Sequence, residues 1–322
     1  MSSIHAKTLP MKTLLNISIA LSVSLMAIGS SEEVGAAVGN VDALKMANLF
    51  PYSIVPYDKL ERGPEERLAM LKEMGFSKYA YDWRTKHLET TAREFSLAKE
   101  MGIEVIGVWM STSLKPSKSG KLEPDNERLL EILKETQTKT CIWVGFQNDN
   151  SVTTEPDRLQ HGSECIANLD RRANEIGCTI ALYNHGGWSG VLANQVKLIE
   201  ATGQTDIGIV YSFHHGQADI PKFEAAVETM KPYVKAIVLN GMTLDDLDPH
   251  GDHIMTIGKG DQEGFMLECF LRAGYKGPVG VLGHTQGEDV SVVLKRNLDG
   301  LLQLREKIQQ QSKSGSIIQK SP

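Results

Sequence analysis

Residues 263–282 read EGFMLECFLRAGYKGPVGVL, a helix-forming stretch followed by a short apolar run. The helical stretch reaches Gly274, and glycine is the residue type that most often terminates a helix. The apolar run begins at Pro278 and has the length of one buried strand. Outward from this segment, the same alternation of strand and helix fills the chain from about Ala47 onward.

Eight apolar runs, each of strand length, are separated by amphipathic helical stretches. The predicted strands are 48–55, 78–82, 103–109, 141–147, 179–183, 207–211, 234–239 and 278–282. Strict alternation of strand and helix requires parallel pairing, and eight such units in about 250 residues are typical of a TIM barrel. We therefore predict an α/β fold, a single (β/α)8 TIM barrel at residues 47–307. An open doubly wound sheet is the alternative, disfavoured because no GxGxxG follows the first strand.

The ends of the predicted helices carry local signals. The first helix is expected to open at Gly63-Pro64, because proline favours the first helical position. Glycines at 75, 102, 177 and 274 are expected to end helices just ahead of the next strand.

The N-terminus has the pattern of an export signal. Lys7 and Lys12 precede an apolar run at 14–28, and Glu32 and Glu33 follow it. The run is shorter than the roughly 20 residues that a membrane span requires, and an uncleaved anchor is the alternative. We predict a signal peptide at 1–30, a linker at 31–46 and a polar tail at 308–322, and hence a periplasmic or secreted protein.

Composition excludes several classes of protein. The 322 residues are 41% hydrophobic and 23% charged, as in an ordinary globular protein. The net charge is -6 and no basic block stands out, so a nucleic-acid partner is not expected. Cys141, Cys165, Cys178 and Cys269 lack the CxxC spacing of a zinc site. Pairing among them in an oxidising compartment and four buried thiols are both left open.

Polar and aromatic residues follow the predicted strands, and side chains at the carboxyl ends of barrel strands converge on one pocket. Four of the nine histidines lie there. We predict three catalytic residues: Asp82, His185 and His215. The predicted substrate-binding residues are Trp83, Arg84, Gln147, Asn184, Trp188, His214, Asn240 and His284.

The residue types suggest chemistry on a hydroxyl-rich ligand. His185 can serve as a base, a metal ligand or a hydrogen-bond donor, and its alternative role is to anchor a loop. Asp82 and Arg84 flank a tryptophan, a combination suited to a polyol or a carboxylated sugar, with an internal Asp82–Arg84 salt bridge as the alternative. Neighbouring residues leaving a strand point in opposite directions, so His215 rather than His214 is expected to face the pocket.

Three stretches carry a resemblance to a known family: 182–187 (LYNHGG), 257–260 (IGKG) and 274–281 (GYKGPVGV). Through them the chain, from about 47 to 307, resembles the xylose isomerase-like TIM barrels, the sugar phosphate isomerase/epimerase superfamily. The stretch 257–260 lies where TIM barrels often seat phosphate, with a plain turn as the alternative.

The resemblance implies a divalent metal held by carboxylates and histidines after strands five to eight. Such a metal stabilises an enediolate while a carboxylate moves a proton between neighbouring carbons. This sequence departs from that ligand pattern: Tyr183 and His284 stand where glutamates are expected, Tyr211-Ser212-Phe213 where the aspartate is expected, and Asn240 in the seventh-strand region. Any metal is therefore predicted on His185, His215 and His284, a set that suits zinc better than manganese or magnesium.

The function expected is that of an exported sugar isomerase/epimerase-like enzyme. It would act on a sugar or oxidised sugar by proton transfer next to a carbonyl, with or without one divalent metal (Zn, Mn or Mg). The expected partner is a small-molecule carbohydrate. The alternatives are a non-catalytic carbohydrate-binding barrel that has lost its metal site, and a lyase or hydrolase on a sugar derivative. Hydrolysis would require a second acid such as Asp149 or Glu288.

Overall fold

The computed structural model describes residues 41–115, 121–147, 152–244 and 254–314. The predicted signal peptide lies outside these residues, as do Asp149 and most of the predicted linker and tail. No helix within the described ranges is both long and apolar enough to cross a membrane.

Eight strands alternate with the helices along the chain. The strands are β1 (Leu49–Tyr52), β2 (Lys78–Tyr81), β3 (Glu104–Ser113), β4 (Cys141–Gln147), β5 (Thr179–Tyr183), β6 (Gly208–Ser212), β7 (Val234–Leu239) and β8 (Val279–Leu282). The helices are α1 (Pro64–Glu73), α2 (Leu88–Glu100), α3 (Pro124–Glu135), α4 (Glu155–Glu175), α5 (Gly187–Gly190), α6 (Leu192–Thr202), α7 (Phe223–Met230), α8 (Glu263–Arg272) and α9 (Val290–Ser314). Short 3-10 helices cover Val41–Leu44, Met46–Asn48, Thr85–His87, Phe213–His215 and Gln217–Lys222.

All seven strand pairings are parallel, in the order β1-β8-β7-β6-β5-β4-β3-β2. The sheet curls until β1 and β2 lie next to each other, which gives a nearly closed barrel. The predicted single TIM barrel is confirmed. Val41–Leu44 buries Ala43 and Leu44, and α9 continues through Ser314, beyond the predicted end of the barrel at residue 307.

The predicted helix signals are found where the sequence places them. Helix α1 begins at Pro64. Gly75, Gly102, Gly177 and Gly274 have φ of +85°, +68°, +76° and +84°, the left-handed region that glycine enters without strain. Each of these glycines redirects the chain from a helix into the following strand segment.

Side chains of the strands alternate between two apolar layers. Ala181 and Tyr183 pack in the barrel interior, whereas Ile180 and Leu182 pack outward under the helices. Cys141 packs against the interior cluster, and Cys178, just before β5, belongs to the outer one. All four cysteines are free thiols.

The third strand is longer than predicted. It was expected to end at Trp109 but continues to Ser113, pairing with β4 up to Gln147. Trp109 therefore lies within the barrel rather than at its rim. Glycine makes room for it: a Cβ on Gly145 would lie 2.0 Å from Trp109 Cη2, and one on Gly107 would lie 2.2 Å from the indole of Trp143.

Candidate active site

An aromatic cluster fills the barrel interior just below the carboxyl ends of the strands. Its centre is Tyr183, whose ring stacks on Trp143 at 6.3 Å and meets Trp109 edge-on at 5.1 Å between centroids. Tyr52 closes the cluster, 5.8 Å from Tyr183 and 5.0 Å from Trp143. We call these four residues the aromatic floor. Because the floor fills the interior, a ligand of the barrel mouth lies above it.

Four histidine rings extend across the mouth above this floor. The ring centroids of His185 and His215 are 4.7 Å apart, those of His215 and His214 are 4.5 Å apart, and those of His214 and His284 are 6.2 Å apart. His215 meets Tyr183 of the floor edge-on at 5.8 Å. We call these histidines the imidazole row; they come from the ends of β5, β6 and β8.

The expectation that only one of the two adjacent histidines faces the mouth is wrong. His214 and His215 both belong to the row, because Phe213–His215 is a 3-10 helix and not the end of a strand. Consecutive side chains of a helix with three residues per turn are not directed to opposite sides, as they are in a strand.

Burial keeps three histidines of the row, His185, His215 and His284, uncharged at neutral pH. It lowers the pKa of His215 to about 2 and that of His284 to about 4, and neighbouring imidazoles add to both shifts. Burial likewise lowers the pKa of His185. A neutral imidazole has one N–H donor and one nitrogen acceptor. At neutral pH these three rings can therefore bind hydroxyl and carbonyl groups.

Asp82 is the buried acid of the mouth. Its carboxylate accepts a hydrogen bond of 3.4 Å from the backbone N–H of Val55, and only 2% of the residue is exposed. Burial raises its pKa from 3.8 to about 6, although the positive charge of Arg84 opposes this shift. The predicted alternative of an internal salt bridge between Asp82 and Arg84 is not formed. Asp82 is thus able to gain and lose a proton near neutral pH.

Arg84 is held in the mouth by neutral groups. Its Nη1 donates to the carbonyl oxygen of Trp83 at 2.7 Å, and its Nη2 donates to the hydroxyl of Tyr57 at 3.1 Å. Tyr57 was not predicted as a site residue, yet its ring also lies 3.6 Å from that of His284. It follows the first strand, and the only sequence signal was an aromatic residue in a loop after a barrel strand.

Two predicted binding residues have their polar atoms engaged within the fold. The indole nitrogen of Trp83 donates to the carbonyl oxygen of Trp109 at 2.7 Å. The amide of Asn184 both donates to and accepts from the backbone of Ser212, at 2.9 and 2.8 Å. These contacts brace neighbouring strand ends, so both residues shape the mouth rather than offer these atoms to a ligand.

The remaining predicted binding residues differ in position. Gln147 is exposed at the end of β4, and Trp188 packs against the outer apolar layer with the Arg158 guanidinium 5.8 Å from its ring. Asn240 is buried at the end of β7; its Nδ2 donates to the carbonyl oxygen of Gly241 at 2.8 Å, and its Oδ1 has no hydrogen-bond partner. Glu288, the candidate second acid, is held by Arg296 at 2.7 and 3.1 Å.

No protein-family model matches the sequence, and no curated protein matches it either. Solved structures do match the fold. A xylose isomerase-like TIM barrel/4-hydroxyphenylpyruvate dioxygenase fusion protein has a TM-score of 0.65 and 15% identity over 85% of this chain, which spans 45% of the fusion protein. The chain has the xylose isomerase-like TIM-barrel fold.

Two further matches to this xylose isomerase-like barrel extend over nearly the whole of the other chain. The 3-keto-D-glucoside 4-epimerase of E. coli in its apo form has a TM-score of 0.57 and 20% identity, over 81% of this chain and 99% of that one. The IolI protein with a bound zinc atom has a TM-score of 0.57 and 11% identity, over 83% of this chain and 97% of that one. At these identities the likeness establishes the fold alone.

The donors of this xylose isomerase-like barrel do not fit the divalent metal that the resemblance implies. Among the described residues, no three histidine, cysteine, aspartate or glutamate side chains converge as a metal site, so the predicted set of His185, His215 and His284 is not formed. His284 instead packs on Tyr57, beyond His214 in the row. Tyr183, at the position of an expected glutamate, is buried in the aromatic floor, and burial raises its pKa well above the usual value.

In this xylose isomerase-like barrel, the predicted phosphate-binding segment binds a carboxylate of the protein itself. The carboxylate of Glu263 accepts hydrogen bonds from the backbone N–H groups of Met242, Gly258 and Gly260, at 3.0, 2.9 and 3.0 Å. Glu263 is the first residue of α8 and is 3% exposed. The backbone donors that would hold a phosphate thus bind an internal carboxylate.

Proposed function

We propose that this protein is an enzyme that moves a proton next to the carbonyl of a sugar or oxidised sugar. The observation that carries the proposal is the buried Asp82 carboxyl, with its pKa of about 6, in a mouth that also holds neutral imidazoles. A group with a pKa close to the working pH can both take and return a proton, which is the requirement for general acid–base catalysis.

The aromatic floor and the amides of the mouth support a sugar as the ligand. Apolar faces of sugar rings pack on aromatic side chains, while their hydroxyl groups need paired donors and acceptors. The sugar epimerase among the structural matches supports the same substrate class. Because an apolar run at 14–28 has the pattern of an export signal, we propose that the protein meets this substrate outside the cytoplasm.

Proton transfer would follow from the groups of the chain itself. Asp82 removes the proton from the carbon beside the carbonyl, and negative charge develops on the carbonyl oxygen. Neutral imidazole N–H groups of His185 and His215 donate hydrogen bonds to that oxygen. Return of the proton from Asp82 to the same carbon, after the enolate has turned its other face to the carboxyl, gives an epimer. Return of the proton to the former carbonyl carbon, while the proton of the adjacent hydroxyl group moves to the former carbonyl oxygen, gives an isomer. His215 acts here as a donor, since a group whose pKa is about 2 does not store a proton at pH 7.

A non-catalytic sugar-binding barrel is the second candidate. It is favoured by the donor set, because the described residues include no carboxylate-based metal site and the aromatic floor stands at the position of an expected ligand. The two candidates share the sugar and differ in whether any carbon–hydrogen bond is broken.

The experiment is solvent exchange. Wild-type protein is incubated in D2O with a panel of aldoses, ketoses and uronates, and deuterium next to the carbonyl is measured by NMR and mass spectrometry. We expect exchange into at least one sugar, and we expect Asp82→Asn to abolish it. The control Asp219→Asn should retain the exchange, because it replaces a carboxyl that is hydrogen-bonded to Tyr211 behind the barrel wall. Binding of a sugar without exchange would replace the enzyme with the sugar-binding barrel.

A further inference from the structure

Arg84 is a cation without an anionic partner beside the barrel mouth. Nearby cations are paired: Arg62 lies 2.9 Å from both Asp58 and Asp289, and Lys86 lies 2.9 Å from Glu61. For Arg84, by contrast, no described carboxylate lies within 4.0 Å; its partners are a carbonyl oxygen and a hydroxyl group. Asp82 acts on this guanidinium through its charge but does not contact it, so a direct ion pair with Arg84 is left for a ligand.

The guanidinium is held in place but retains donors. Its contacts with Trp83 and Tyr57 use one N–H on each terminal nitrogen, and the Tyr57 ring supports the cation at 5.6 Å. A guanidinium has five N–H donors in a planar fork, so three remain. A fixed fork with free donors matches the two oxygens of a carboxylate.

Arg84 stands within electrostatic reach of the imidazole row. Its positive charge contributes to the lowered pKa values of His185 and His284. The Tyr57 ring, which packs on His284 at 3.6 Å, links Arg84 to the row directly. An anion on Arg84 would therefore leave the rest of its molecule over the imidazoles and the aromatic floor.

The predicted phosphate-binding segment described above argues for the type of anion. With three backbone N–H groups of the β7–α8 region bound to Glu263, that loop offers these donors to no phosphate. A lone arginine fork without supporting backbone donors suits a carboxylate better than the three oxygens of a phosphate.

We infer that the ligand of this mouth is a carboxylate-bearing sugar of the uronate or aldonate class, with Arg84 as the carboxylate anchor and Tyr57 as the residue that positions it. This inference rests on the proposed function, because it names the substrate class of the same site.

The test compares matched sugars by calorimetry at pH 7.5 and fixed ionic strength. The probes are D-glucuronate and D-galacturonate, the neutral parents D-glucose and D-galactose, and D-glucose 6-phosphate. We expect at least one uronate to bind about tenfold more tightly than its parent, as charge-assisted hydrogen bonds allow. That ratio should fall to about one in Arg84→Gln. It should persist in Arg158→Gln, which removes an arginine with the same kinds of contact, a carbonyl at 2.7 Å and an indole ring at 5.8 Å, where that indole packs against the outer apolar layer.

Tyr57→Phe separates positioning from folding. It removes the hydroxyl that orients Arg84 and keeps the ring, so the ratio should fall while the affinity for the neutral parent stays unchanged. A purely structural role would lower both affinities together and would contradict the assignment of Tyr57.

Three outcomes would overturn the inference about the carboxylate. They are a ratio near one in wild type, a ratio that survives Arg84→Gln, and D-glucose 6-phosphate binding as tightly as the uronate with the same dependence on Arg84. If neutral sugars bind and exchange deuterium while the ratio is one, only this inference fails. If no sugar of the panel binds or exchanges, the proposed function fails with it.

Discussion

Burial acts in opposite directions on the acid and the histidines of the mouth. Removing a group from water disfavours its charged form, so a carboxyl gains affinity for protons and an imidazole loses it. The pKa of Asp82 therefore rises to about 6 while that of His215 falls to about 2. The outcome is a carboxylate as the proton acceptor and neutral rings as donors.

This assignment predicts how the exchange rate depends on pH. The rate should fall about tenfold per pH unit below pH 6 and level off above it, because only ionised Asp82 can accept a proton. The measurement is the deuterium exchange rate in the limit of low substrate between pH 4.5 and 8. A rate that is flat across pH 6 would contradict the assignment, and Asp219→Asn should reproduce the wild-type profile.

Between β7 and α8, backbone N–H groups of the loop bind the carboxylate of Glu263, the first residue of the helix that follows. Gly258 has φ +84°, and a Cβ on Gly260 would lie 2.2 Å from the carboxylate of Glu263. Ile257 donates to the Oδ1 of Asn297 at 2.8 Å, which ties the loop to α9. The glycines let the backbone wrap closely around Glu263, so this carboxylate is a structural anion of the loop.

We predict that Glu263→Ala destabilises the fold by about 2–4 kcal/mol, because three backbone N–H groups lose their acceptor. Each unsatisfied buried donor costs about 1–3 kcal/mol, and water that reaches the loop offsets part of this cost. Glu263→Gln should cost less, since it keeps an oxygen acceptor. Urea unfolding measures both. Glu155→Ala is the control: Glu155 is also the first residue of its helix, but its pair with Lys197 is exposed and should contribute under about 1 kcal/mol. Equal losses in Glu263→Ala and Glu155→Ala would show that the loop does not depend on this carboxylate.

Across the whole molecule, closure of the barrel brings the first and last units together. Arg62 joins Asp58 and Asp289, and the backbone N–H of Lys59 donates to the carbonyl oxygen of Glu288 at 3.0 Å. These contacts connect the loop after β1 to the loop after β8. Because closure also buries the imidazole row, the stability of the fold is linked to pH.

We predict that His215→Gln reduces the loss of stability in acid by about 2–3 kcal/mol between pH 6.5 and 4.5. The unfolded chain protonates this histidine below about pH 6.5, whereas the folded chain does so only near pH 2, so each pH unit in that interval costs about 1.4 kcal/mol. Asp82 has the opposite sign: its folded pKa of about 6 lies above the ordinary 3.8, so the folded state holds a proton in that interval and gains stability as the pH falls. Asp82→Asn should therefore steepen the acid loss. Urea midpoints at several pH values measure both, and equal pH dependence in the two variants would refute the linkage.

The barrel could be predicted from the amino-acid sequence alone, because the helix-terminating glycines Gly75 and Gly274 and the strand-length apolar runs act through local conformational preferences. The sequence also placed Asp82, Arg84 and His185 at strand ends, because parallel strands bring their carboxyl ends to one rim. It did not reveal the role of Tyr57, which contacts Arg84, 27 positions away, and His284, 227 positions away in the sequence.

Which polar atoms remain available to a ligand depends on the tertiary structure. Asn184 and Glu263 are of residue types that often bind ligands, yet their side chains form hydrogen bonds with backbone groups that folding brings near them. The 3-10 helix at His214 and His215 likewise overrode the alternation expected of a strand. The pKa values of Asp82 and His215 depend on burial, a property of the closed barrel that no local pattern encodes.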